Sequence, residues 1–151
     1  LHIQPEITII SPQHGILTTE ERVSIHIDGD CMISTDYAVS TNSIALEAML
    51  YNSTPIINKG NASYEWFGED NLWGVESYEE YCIYEETHQS SLYRFTSGES
   101  WYKPIVKSLS EVMRNVYINK FERDKKIAAN NKLREYFKNA SYADILNGEP
   151  Q

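Results

Sequence analysis

Cationic side chains are scarce in this chain of 151 residues: 13 Lys and Arg stand against 22 Asp and Glu, a formal net charge of -9. A protein that grips DNA or RNA through its phosphates presents a basic face, so nucleic acid is not an expected partner. Cysteine is nearly absent, with Cys31 and Cys82 alone, too few for a disulfide framework in a chain of this length. Cys31 opens a short apolar run and reads as a core thiol. There is no pair of Cys-x-x-Cys motifs and no His-Glu-x-x-His, so zinc has no support from spacing and no metal is expected. No apolar run approaches the roughly 20 residues of a membrane span. No signal-peptide pattern opens the chain, and the expected location is the cytoplasm. The start at Leu1 rather than Met reads as that of a piece of a longer protein.

What is present suits one packed domain. The hydrophobic share is 41% and the charged share 23%, which argues for a core and against disorder. The first two thirds alternate short apolar runs with helical patterns, as a parallel α/β sheet requires. Ile7 to Ile10 is a β-branched run closed by Ser11-Pro12 and predicts a buried strand. Thr18-Thr19-Glu20-Glu21 has the form of a capping box and predicts a helix to about Ile27, with Val23, Ile27 and His26 inward. Cys31 to Ser34 predicts a second strand. A polar loop, Thr35 to Thr41, leads to a helix with an apolar body of Ile44, Leu46, Ala48, Met49 and Leu50. Asn52-Ser53 stops that helix and Pro55-Ile56-Ile57 predicts the third strand. A short helix over Ala62 to Phe67 and a short strand over Leu72 to Val75 follow.

Residues 76–100 read as an insertion: Ser77 to Glu80 suits a helix start, and Tyr81 to Tyr84 suits a strand equally well. Pro104 suits the first turn of a helix. Two rows at helical spacing, Ile105, Leu109, Val112, Val116 and Val106, Met113, Tyr117, predict one apolar face. A further helix is expected from about Phe121 to Phe137, with Ile127, Leu133 and Phe137 inward, and a last one over Ala140 to Leu146. Residues 101–151 thus form a helical C-terminal part.

The chemically informative stretch is Asp30 to Asn58. Two strands flank a helix that starts among Ser40, Thr41, Asn42 and Ser43. In a parallel sheet the strand-to-helix loops lie at the carboxyl edge, where ligands bind. A helix start there offers free N–H groups and a partial positive charge, enough to hold a phosphate without basic side chains. Glu47 lies about one turn further in. A carboxylate at that depth can accept hydrogen bonds from paired ribose hydroxyls, as the acidic residue of dinucleotide folds does.

Asp30-Cys31-Met32-Ile33-Ser34, Ala45-Leu46-Glu47-Ala48-Met49 and Thr54-Pro55-Ile56-Ile57 together resemble the retaining GT-B glycosyltransferases, in their C-terminal, nucleotide-sugar-binding half. That family carries a Glu-x7-Glu segment, Leu-Glu-Ala-Met, a small residue and then Thr-Pro-Val-Val. Asn71-Leu72-Trp73-Gly74-Val75 resembles its later Asn-Gly-Leu-Leu-Val strand, Trp101 to Tyr117 its late helix, and Phe137 to Tyr142 the entry to its last helix. The resemblance implies a Rossmann-like parallel sheet with flanking helices over residues 1–151. It implies a nucleotide-diphosphate sugar as donor substrate, no separate cofactor, and no metal. Residue by residue, it implies that Glu47 binds the ribose and that the backbone of Thr41, Asn42 and Ser43 faces the phosphates. It also implies that Ser11, Pro12 and Gln13 frame the base and that Lys59, Gly60 and Asn61 form a loop near the donor sugar.

The sequence also departs from that pattern. Val39 stands where the first Glu of the pair belongs, and Ser40-Thr41-Asn42 replaces the Gly-Phe-Gly linker. The family's Arg and Lys that neutralise the diphosphate lie upstream of Leu1, and the acceptor domain is absent from these 151 residues. No catalytic residue is therefore assigned. Asp36-Tyr37 is a candidate substitute for the missing acid, and the expected partners are a nucleotide sugar and an acceptor domain or partner chain. Self-association is expected through the face that such a domain would cover.

Bland readings stand beside these. Glu47 also fits a surface acid in a local pair, and Thr41 to Ser43 fit simple cap residues. Lys59 fits a solvated lysine, His14 a turn histidine, and His88 has no partner that the sequence names. Trp66, Phe67, Trp73 and Trp101 fit sugar stacking or core cover. Two functions from different classes follow: the donor half of a glycosyltransferase, and a non-catalytic module that keeps the fold without the chemistry. A nucleotide-sugar epimerase of the same build is a third, although the acid–base pair it needs is not evident.

Overall fold

A computed structural model describes residues 17–36, 42–81 and 100–139. The expected strand at Ile7 to Ile10, the base-framing Ser11, Pro12 and Gln13, Thr41, Val39 and the helix over Ala140 to Leu146 lie outside them. In chain order the elements are α1 (Thr19–Asp28), β1 (Cys31–Ser34), α2 (Ser43–Leu50), β2 (Thr54–Asn58), α3 (Ala62–Phe67) and β3 (Trp73–Val75). Then come β4 (Ser77–Tyr81), β5 (Ser100–Pro104), α4 (Val106–Ile118), α5 (Lys120–Ala129) and α6 (Asn131–Asn139).

The chain is mixed α/β. Strands β1, β2 and β3 form a parallel sheet in that order, with Cys31 opposite Thr54 and Asn58 opposite Val75. Parallel neighbours need a crossover, and α2 and α3 supply them. Every residue of β2 is buried, as expected of a central strand covered on both faces. Alternation along the strands sorts the core. Ile56, Trp73 and Val75 pack with Val116 and the half-buried Cys31, Leu109 and Val112 on the α4 side. Ile57 and Leu72 pack with Ala45, Met32, Tyr64 and Phe67 on the α2–α3 side. Strands β4 and β5 form a separate antiparallel pair. No helix among the described residues is long and apolar enough to cross a membrane.

Local chemistry sets the helix ends. Thr18 and Glu21 form the capping box reciprocally: the Glu21 N–H donates to Thr18 Oγ1 at 3.2 Å and the Thr18 N–H donates to Glu21 Oε2 at 2.8 Å. At the end of α2, Asn52 takes φ 65°, and the Ser53 N–H turns back to the Ala48 carbonyl at 2.9 Å. Asparagine tolerates that left-handed conformation and so ends the helix.

Four expectations need correction. Ile27 is 61% exposed while His26 is buried, so α1 turns its His26 face inward. Pro104 closes β5 opposite Ser77, and α4 begins two residues later; the Ile105 N–H, free of any intrahelical bond, donates to the Glu76 carbonyl at 2.8 Å and holds the chain against the hairpin. Of the two apolar rows on α4, Leu109, Val112 and Val116 face the sheet. Val106 and Tyr117 are three-quarters exposed, because a helix lying on one sheet face covers a single stripe. Lastly, the helix expected over Phe121 to Phe137 is two, divided at Asn130. Asn130 is buried and its Nδ2 donates to the Asn71 carbonyl at 3.2 Å. Arg134 fastens α6 to the body, its Nη1 donating to the Met49 carbonyl at 2.8 Å and its Nη2 to the Ile127 carbonyl at 2.7 Å.

Candidate functional site

The carboxyl ends of the three parallel strands are Ser34, Asn58 and Val75. Helix α2 returns from that edge, and α1 feeds β1 through the short Gly29-Asp30 link, so both helices start at the same edge. Here the chain collects small polar side chains, and most are bonded to one another. Asn42 is the centre. Its Oδ1 accepts the Ala45 N–H at 2.9 Å and caps α2, and its Nδ2 donates to Ser34 Oγ at 2.7 Å. Its own N–H donates to Ser63 Oγ at 2.9 Å. Ser34 Oγ in turn donates to Asp36 Oδ2, and Asn61 Nδ2 donates to the Asp36 carbonyl at 2.9 Å. Asn42, Ser34, Ser63 and Asn61 are all buried. They form a polar core that sets where the loops after β1 and β2 sit.

The expected site residues therefore divide. Asn42 is spent internally, both side chain and N–H. Ser43 is exposed, and among the described residues the N–H groups of Ser43 and Ile44 have no intramolecular acceptor. These two are what α2 retains for an anion. The loop after β2 is held both by its own sheet and by β5 of the antiparallel pair. Asn58 Nδ2 donates to the Tyr102 carbonyl at 2.6 Å, and the Lys59 N–H donates to the Val75 carbonyl at 3.0 Å. At Gly60, a Cβ would lie 2.1 Å from the Tyr102 ring, so only glycine lets the loop pass beneath β5. Lys59 Nζ forms an ion pair with Glu76 Oε1 at 2.5 Å, spanning the ends of β2 and β3. Lys59 is thus a partnered cation at the edge, 35% exposed.

Glu47 sits on the side of α2 that faces α1. Arg22 Nε lies 3.3 Å and His26 Nε2 3.7 Å from the same oxygen, Oε2. His26 is buried and stacks on Tyr51 with ring centroids 6.4 Å apart. The sequence places Glu47 about one turn inside α2 and does not point to Arg22 as its partner. The spacing of Arg22 and His26, four apart on one helix, was the available signal, since it puts both on one face. No role at this edge was expected for Ser63, Asn58 or Glu76.

Two other features lie away from this edge. Asp28-Gly29-Asp30 has the Asp-x-Asp form seen at metal sites, but it precedes β1 at the amino end of the sheet, and Asp30 Oδ1 pairs with Arg123 Nη1 at 3.0 Å. A mostly apolar cavity of about 450 Å³ lies between α2, α3, α5 and α6, lined by Leu46, Met49, Phe67, Leu133, Tyr136 and Phe137 among others. Trp66 borders this cavity, whereas Trp73 is a core residue under the Lys126 ammonium, 4.9 Å from its ring.

Compared with known proteins, the chain matches no protein-family model, no curated protein and no solved structure.

Proposed function

We propose that this chain is the donor half of a glycosyltransferase, binding a nucleotide-diphosphate sugar at the carboxyl edge of β1, β2 and β3. The GT-B resemblance of the Leu-Glu-Ala-Met and Thr-Pro-Ile-Ile segments motivates this reading. The observation that carries it is the state of Glu47, a partly exposed carboxylate one turn inside the helix that starts at the ligand-binding edge of a parallel sheet. In this reading Glu47 accepts the ribose hydroxyls, the N–H groups of Ser43 and Ile44 face the diphosphate, and Lys59 supplies positive charge near the departing phosphates. No metal enters the scheme, and the acceptor is held by another domain or chain.

A second reading is favoured by the internal pairing of the edge. Asn42 bonds to Ser63 and Ser34, Lys59 pairs with Glu76, and Val39 replaces an acid. A non-catalytic module that retains the fold would look the same. Calorimetric titration with UDP, GDP, ADP and their sugar conjugates separates the two. One nucleotide is expected to bind. Glu47→Ala is expected to weaken it by ~1.5–3 kcal/mol for each hydrogen bond lost to the charged group. No binding at millimolar nucleotide would place the non-catalytic module first.

A further inference from the structure

Among the described residues, both contacts to the Glu47 carboxylate fall on one oxygen. Arg22 approaches Oε2 from α1 at 3.3 Å, and His26 lies 3.7 Å from that same atom, too far for a hydrogen bond. Oε1 has no partner among the described residues. The two α1 residues also differ in depth. Because α1 and α2 both start at the carboxyl edge, Arg22, in the early part of α1, lies nearer that edge than His26. Arg22 is 53% exposed at its side chain and His26 only 6%. Glu47 thus has a buried imidazole on its inner side and a guanidinium on its outer side.

We infer that Arg22 is a positioning residue, which holds Oε2 so that Oε1 is presented, already oriented, to the cis-diol of a ribonucleotide. This rests on the donor-site reading above and adds to it the group that makes Glu47 selective for ribose. A free glutamate must give up its rotamer freedom when a ligand binds. One pinned by an ion pair has already done so, and a single carboxylate oxygen carries two lone pairs for two hydroxyls.

The test is titration of the 151-residue chain with the nucleoside diphosphate that binds best among UDP, GDP and ADP, beside its 2′,3′-dideoxy counterpart. The wild type is expected to prefer the ribonucleotide about tenfold or more, the worth of a hydrogen bond to a charged acceptor. Arg22→Gln is expected to lower that preference about three- to tenfold, the cost of ordering one side chain at binding. Arg22→Lys is expected to recover part of it, since it keeps the charge and loses the planar Nε contact. A role in folding alone would weaken both ligands equally and leave their ratio unchanged, which overturns the inference while the donor site stands. An unchanged or larger ratio in Arg22→Gln does the same. Failure of the wild type to bind any of the three nucleotides overturns the donor-site reading and this inference together.

Discussion

The backbone N–H of Asn42 donates to Ser63 Oγ at 2.9 Å, across 21 residues of chain. The bond ties the start of α2 to the first turn of α3. It couples the loops that follow β1 and β2 at the carboxyl edge of the sheet. It also explains why Asn42 serves the fold first: three hydrogen bonds converge on a residue only 2% exposed.

Replacement of Asn42 by Ala is expected to destabilise the chain by about 2–4 kcal/mol. It removes a helix cap worth about 1 kcal/mol and leaves the buried Ser34 hydroxyl without a donor. Asn42→Ser is expected to cost less, because a hydroxyl at this position can still accept the Ala45 N–H and cap α2 without adding a buried charge. Urea unfolding of the three proteins checks this. Equal loss in both variants would show that the cap contributes nothing.

Gly60 and Tyr102 form a second coupled pair. Gly60→Ala puts a Cβ within 2.1–2.5 Å of Tyr102 Cγ, Cβ and Cδ1, near the root of that side chain, where rotation relieves little. The expected cost is about 1–3 kcal/mol. In a Tyr102→Ala background most of it should vanish, so a double-mutant cycle gives a positive coupling. Additive effects would mean that the loop after β2 adjusts on its own.

Cys31 gives a pH-dependent outcome. Burial pushes its thiol above the ordinary range, the neighbouring Asp30 adds to this, and Arg123 opposes it. In a Cys82→Ser background, alkylation by iodoacetamide at pH 8 is expected to be slower for the folded chain than for the chain unfolded in urea, since the thiolate is the nucleophile. Linkage sets the sign for stability. The folded thiol keeps its proton to higher pH than the unfolded one, so this contribution is complete below the ordinary thiol range and is lost as pH rises through the folded value. Equal alkylation rates would contradict the shift.

Local signals were enough for much of the fold. The capping box at Thr18, the β-branched Ile56-Ile57 run and the Asn52 stop place α1, β2 and the end of α2 from neighbouring residues alone. Each depends on propensities and short-range bonds that operate within about one turn. α3 falls on the expected Ala62 to Phe67 for the same reason. That Asn42 and Lys59 lie at the carboxyl ends of β1 and β2 was legible because strand-to-helix loops of a parallel sheet gather at one end whatever the rest of the chain does.

Partnership was not legible, because it joins residues far apart in sequence. No spacing rule pairs Asn42 with Ser63, Lys59 with Glu76, or Arg22 with Glu47 across 25 residues. The break at Asn130 was hidden for a similar reason. The apolar period runs through it unbroken, and only the bond from Asn130 to the Asn71 carbonyl on the sheet side shows where α5 ends. Periodicity reports which face of a helix is apolar, and not which neighbour covers it. On α4 the stripe of Leu109, Val112 and Val116 was chosen over that of Val106, Met113 and Tyr117 by the position of β3 beneath it. Which side chains at the carboxyl edge are buried, exposed or partnered was therefore settled by tertiary packing, since each depends on which distant chain segment arrives at the same edge.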